Sequence, residues 1–342
     1  MSLREVLPRI LIGLAVAFQI LVVAAMAFSR EWILATGEPY VLQTAPVDPR
    51  DIFRGDYVRL EYLFSHVPVQ QLDEEILEQG LVKGQKVYLS LTRDINGVTQ
   101  GGRLSLSPPA AESYLTGRST EHWPYRRYRR KAIENRRLEE LRAVSVKYGI
   151  EQYYVEQGAG REMEEIRGSR DSYQVPMLIH AGISASGEAV IRSYEWANLA
   201  TKTEIVQSPE RDAPDERAGA VVRFTMMNRS DGPISLPFKT GNCSFTLIPA
   251  RSAPITATSF VTERSDCAAA EVENILLAPG ETHAVSFDLN QPHWYVLYND
   301  TPTPPGKLPW SYRYRIQYQG EAIPGVNATI LSRAFHGRGE ID

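Results

Sequence analysis

Hydrophobic positions open the chain in one unbroken block and then give way to alternation. Residues 10–28 read ILIGLAVAFQILVVAAMAF, interrupted only by Gln19. A helix needs about 20 apolar residues to cross hydrocarbon, so this block has the length of a membrane span. Arg4 and Arg9 precede it, and positive flanks stay on the cytoplasmic side. The short tail is therefore expected in the cytoplasm and the bulk of the chain outside it. A membrane anchor and a long signal sequence are both open readings of the block, and either exports the rest. Ala25-Met26-Ala27 has the small-residue spacing of a cleavage site. The apolar run is nevertheless longer than an ordinary signal core, and an aromatic anchor, Trp32, follows it. The expectation is an uncleaved anchor that meets the lipid bilayer through residues 10–28.

Beyond the anchor the pattern has period two. Residues 40–45 form a first short strand. Tyr57, Arg59 and Glu61 then alternate with Val58, Leu60 and Tyr62, which is the pattern of a half-buried strand running on to Phe64 after a Gly55-Asp56 turn. Residues 69–78 read as a short acidic helix and 86–92 as a strand. Asn96-Gly97 is a hairpin-type turn leading to 103–107. Residues 174–181 and 188–194 make a closing hairpin. Alternation of this kind belongs to antiparallel sheet with one covered face, and it gives a first domain over residues 38–196.

Residues 197–217 turn polar and are expected to be a linker. Strands resume at 220–227, 234–238, 243–249, 283–289 and 310–319, punctuated by Gly, Pro and Asn turns. Short strands at such spacing predict an immunoglobulin-like β-sandwich over 218–342. The fold class is thus mainly β, an α+β domain followed by a sandwich, carried on one N-terminal transmembrane helix.

Composition adds little beyond room for two cores: 342 residues, 43% hydrophobic, formal charge -4. No overall charge favours nucleic acid. The two cysteines, Cys243 and Cys267, have no zinc-ligand spacing, and a single disulfide is the better reading in an oxidising compartment. The six histidines are scattered, with no metal motif, no serine-hydrolase elbow and no Ser-x-x-Lys. No catalytic residue, metal or cofactor is expected.

The most distinctive segment is Pro46-Val47-Asp48-Pro49-Arg50-Asp51-Ile52-Phe53-Arg54-Gly55-Asp56-Tyr57-Val58-Arg59-Leu60-Glu61-Tyr62. Its Gly55-Asp56-Tyr57, Leu60 and Tyr62 resemble the signature of the GDYXXLXY family of membrane-anchored bacterial proteins. A second stretch, Tyr148-Gly149-Ile150-Glu151 through Glu156 to Gly158-Ala159-Gly160, is similar to that family's second landmark, an aromatic strand leading to a Gly-x-Gly turn and a short acidic helix. Gln157 stands where an acidic residue is the commoner choice. The resemblance covers residues 10–195. It implies no established activity; by analogy it implies an accessory role beside a polytopic membrane protein.

Two further features bear on function. Arg126, Arg127, Arg129, Arg130 and Lys131, interleaved with tyrosines, form a basic patch. Anionic headgroups or an acidic partner fit it better than nucleic acid does in an exported domain. The plainer reading is a solvated helix whose Glu134, Glu139 and Glu140 pair with arginines. Asp48, Asp51, Asp56 and Glu61 form a carboxylate cluster interspersed with three arginines, Arg50, Arg54 and Arg59. Turn capping and charge neutralisation account for it more simply than a cation or acid/base site. The sequence therefore predicts a non-enzymatic binding or accessory subunit in a bacterial inner membrane; the rival is a hydrolase-like envelope enzyme with its site in residues 48–61.

Overall fold

The computed structural model describes residues 3–45, 57–123, 143–156, 158–169, 171–208, 219–250, 265–298, 301–308 and 312–341. Residues 46–56 and the basic patch at 126–131 lie outside them.

The apolar block becomes α1 (Leu3–Thr36), which runs past the expected end of the span through Arg30, Glu31 and Trp32. Its long apolar section, part of the candidate span Leu11–Thr36, has no protein over it. Only at its end does it touch the folded part, where Ile33 is buried and Leu34 half-buried. A single residue, Gly37, then joins helix to sheet. The Gly37 N–H donates to Ile33 O at 2.8 Å. A Cβ on residue 37 would sit 2.6 Å from Ile33 O and 3.0 Å from Ile183 N, so only glycine fits this close approach.

The first unit contains β1 (Glu38–Gln43), β2 (Tyr57–Arg59), β3 (His66–Val67), α2 (Glu74–Gln79), β4 (Lys86–Arg93), β5 (Thr99–Ser105), β6 (Tyr114–Ser119), β7 (Val144–Lys147), β8 (Gln152–Tyr154), α3 (Ala159–Arg167), β9 (Met177–Ile183) and β10 (Ala189–Trp196). An eight-stranded sheet runs in the order β10-β9-β1-β5-β4-β6-β7-β3, with β2 and β8 as a separate antiparallel ribbon. The expected acidic helix is shorter than its pattern, a 3-10 turn over Val69–Gln71 followed by α2. The closing hairpin falls where its alternation placed it, with β9 antiparallel to both β1 and β10.

The sheet curls until its far edge meets the end of β1. On one side residues 61–63 bond to the end of β1, Ala45 N–H to Glu61 O and Leu63 N–H to Gln43 O. A few residues on, β3 pairs with β7, and Val146 N–H donates to Ser65 O at 2.9 Å. Residues 61–67 therefore close the sheet around one core that includes Leu42, Leu60, Phe64, Leu89, Leu104 and Leu115.

In the second unit β11 (Leu199–Gln207), β12 (Val221–Asn228) and β16 (Thr282–Asp288) form one sheet. Two-stranded pairs follow: β13 (Ile234–Lys239) with β15 (Val272–Leu277), β14 (Phe245–Pro249) with β19 (Tyr314–Tyr318), and β17 (Val296–Tyr298) with β18 (Thr301–Thr303). They share a core built around Phe224, Phe245, Phe287 and Phe335, an arrangement consistent with a β-sandwich. Cys243 and Cys267 are bridged, with Cα atoms 5.4 Å apart.

The linker expected over 197–217 needs correction in its first part. Residues 199–207 are strand β11, paired with β12 along its length. Its inward positions carry Leu199, Thr201 and Thr203, all buried, so alternation is present but written with threonines instead of large apolar residues.

The two units also hold each other. A small apolar cluster joins Val175 and Leu178 of the first to Ala200 and Ala328 of the second. The side-chain amide of Gln43, at the end of β1, donates to Thr329 O at 3.0 Å and accepts from Thr329 N–H at 2.7 Å. The Thr329 hydroxyl donates to Asp94 at 2.5 Å, and Asn96, in the expected hairpin turn, donates to Ala328 O at 3.0 Å. With both Gln43 and Thr329 buried, these bonds are shielded from competing water. One strand, β1, thus runs from α1 to the C-terminal segment.

Candidate functional site: the signature strand and its polar row

The signature segment and the second landmark lie far apart in sequence and side by side in space. β2 and β8 pair Tyr57 with Tyr154, Val58 with Tyr153 and Arg59 with Gln152, and Leu60 N–H donates to Glu151 O at 2.8 Å. Leu60 and Tyr62 are almost wholly buried, at 2% and 1% exposure. The Tyr62 hydroxyl donates to Ile150 O at 2.7 Å, and its ring stacks on Phe64, which in turn meets Tyr148 edge-on at 5.4 Å. The Tyr148 hydroxyl donates to Phe64 O at 3.0 Å. Burial holds both phenols well above their ordinary pKa, so they act as hydrogen-bond donors to carbonyls and not as acids or bases near neutral pH.

The remaining landmark residues set turns. Gly149 adopts φ of 85°, a left-handed conformation that favours glycine. The Glu151 carboxylate accepts the N–H groups of Tyr148 and Gly149, capping that turn. Glu156 is exposed, and its carbonyl accepts the Ala159 N–H at 3.0 Å. Gly158 is the cap of α3, and Gly160 lies in its first turn. Tyr57 is half-buried, its ring 6.0 Å from that of the exposed Tyr154. Asp48, Arg50, Asp51, Arg54, Gly55 and Asp56 lie outside the described residues, as do Arg126, Arg127, Arg129, Arg130 and Lys131.

One constellation was not legible in advance. Glu61, at the end of the carboxylate cluster, lies with Oε1 3.0 Å from His66 Nε2, and His66 Nδ1 lies 2.9 Å from Ser145 Oγ. With Nε2–H donating to the carboxylate, Nδ1 accepts the serine hydroxyl. The row spans the seam where β3 meets β7, and the side chains of Glu61 and His66 are each 20% exposed. His66 and Ser145 are 79 positions apart, so only the closure of the sheet brings them together. Among the described residues, no group of three or more His, Cys, Asp or Glu side chains is placed to hold a metal ion.

These features define a class: a mainly β protein with one N-terminal apolar helix, its first domain closed by a strand whose signature side chains are core. The family model for the GDYXXLXY protein matches residues 19–193, and the chain belongs to that family. None of the curated proteins or solved structures compared with it matches.

Proposed function

We propose that this chain is a single-pass envelope protein, uncleaved, with a cytoplasmic N-terminus in a bacterial inner membrane and its folded bulk outside. In this reading it is a non-enzymatic accessory subunit that binds a polytopic membrane protein. The observation that carries the proposal is the unbroken run from α1 through Gly37 into β1, in which a helix bare of protein cover becomes a central strand of the fold. An exposed helix with a long, almost wholly apolar stretch has only lipid or another membrane segment as a compatible environment. The Cys243–Cys267 bridge supports an oxidising compartment. Burial of Leu60 and Tyr62 gives the signature a structural task, which leaves binding to the outer surfaces.

The test is affinity purification of the full chain from native membranes in mild detergent, beside a version lacking residues 1–30. A polytopic protein is expected with the anchored form alone. Recovery of nothing with either form counts against an accessory role.

The row Glu61–His66–Ser145 favours a second reading, a hydrolase-like enzyme. Its order is reversed from that of the serine proteases, where Nε2 faces serine and Nδ1 the carboxylate. A structural row predicts that a fluorophosphonate probe leaves the native protein unlabelled. Labelling that Ser145→Ala abolishes would instead establish a nucleophile.

A further inference from the structure

The faces of α1 differ in chemistry, and the folded domain identifies which face is which. At about 100° per residue, Gln19 falls between Ile33 and Leu34 around the helix axis, about 40° from one and about 60° from the other. Among the described side chains of α1, residues 11–36, the folded domain covers Ile33 and Leu34. Gln19 therefore lies on the stripe that continues upward into the domain, together with Ile12, Val16, Val22, Val23 and Met26. The opposite side carries Leu14, Leu21, Phe28 and Trp32, with the last two rings 6.0 Å apart. Large aliphatic and aromatic side chains suit lipid, and a tryptophan at the end of a span suits the interface.

Gln19 stands near the middle of the apolar run, is exposed, and has no hydrogen-bond partner among the described residues. A primary amide offers two donors and an acceptor, and hydrocarbon satisfies none of them. Polar side chains at that depth belong against another helix.

We infer that the Gln19 stripe docks a transmembrane helix of a different protein, one bearing a hydrogen-bonding side chain at mid-bilayer, and that this helix sits beneath the sheet. A second copy of this chain is disfavoured by geometry. Two helices facing each other through Gln19 would each bring a folded domain into the space above the contact, because both domains lie on that side. The inference rests on the anchor reading and names the surface through which an accessory subunit meets its partner.

The experiment places the photo-cross-linker p-benzoylphenylalanine at Val23, on the stripe, or at Leu21, opposite, in the full chain in native membranes. Val23 is expected to give a discrete adduct with another membrane protein. Its yield should exceed that at Leu21 and fall about threefold to twentyfold with Gln19→Leu, the range that one interhelical hydrogen bond supports. Equal yields on the two faces, no adduct at all, insensitivity to Gln19→Leu, or an adduct between differently tagged copies of this chain would each overturn the inference. Carbonate extraction and intact mass of the same membranes separate its failure from that of the anchor reading. Full-length chain in the pellet with any of those results overturns the docking face alone. Trimmed chain in the supernatant overturns both.

Discussion

Tyr62→Ala is expected to lower the folding stability of the first domain by about 3–5 kcal/mol, the range for removing a large buried aromatic. The change deletes a ring stacked on Phe64 and leaves Ile150 O, the acceptor of its 2.7 Å bond, without that donor. It also falls in the segment that closes the sheet, so the loss is felt on both β1 and β7. Against a total of about 5–15 kcal/mol for a domain, such a loss brings the protein close to unfolding at 37 °C. Tyr62→Phe isolates the hydroxyl and should cost about 1–2 kcal/mol. Urea titration of the detergent-solubilised chain, followed by circular dichroism, measures both. A Tyr62→Ala loss below about 1 kcal/mol would contradict the closure role, because even a typical single substitution reaches that size.

The second large effect concerns the end of the chain. Removing residues 322–342 takes away Ile323, Val326, Ile330 and Phe335, exposed by only 2%, 7%, 3% and 0%. At about 1.5–3 kcal/mol for each buried side chain, the loss is on the order of 6–12 kcal/mol. That is comparable with the whole stability of a domain, so the second unit should unfold. The first unit keeps its own core and should survive. Limited proteolysis is then expected to leave a resistant fragment spanning α1 and the first domain while residues after 199 are digested. Intact resistance of both units in the truncated chain would show that the C-terminal segment is dispensable for the second core. Gln43→Ala gives the milder comparison. It removes the paired amide bonds to Thr329 without touching either core.

Much of this was legible because the strongest signals are local. The apolar block, the period-two alternation through Tyr62, the closing hairpin and the two cysteines each need only a few neighbouring residues to be read. The failures share a different cause. β11 was expected to be linker because Thr201 and Thr203 occupy its buried positions, and threonine reads as polar although it fits a strand well. Residues 323–336 mix apolar, small and polar residues with no period of two or 3.6. Ala328 and Thr329 are held by Gln43, Asp94 and Asn96, more than 200 positions away, and residues 330–335 by backbone and side-chain bonds to β19 and β11. The row of Glu61, His66 and Ser145 is likewise a product of sheet closure, and Ser145 carries no local mark. Leu60 and Tyr62 were legible as motif residues, but the structure gives them the task of packing.

The one-residue joint at Gly37 makes the helix and β1 a lever. From Gly37 to Gln43 the strand spans about 20 Å at about 3.3 Å per residue. In the anchored form proposed above, a 10° change in helix tilt, well inside the range that transmembrane helices adopt, would swing the far end of β1 by about 3 Å. A strand bonded at that end to Thr329 passes such a displacement into the second unit. The thickness of the surrounding bilayer would then register as a shift in the position of the second unit, which contributes nothing to the spanning helix.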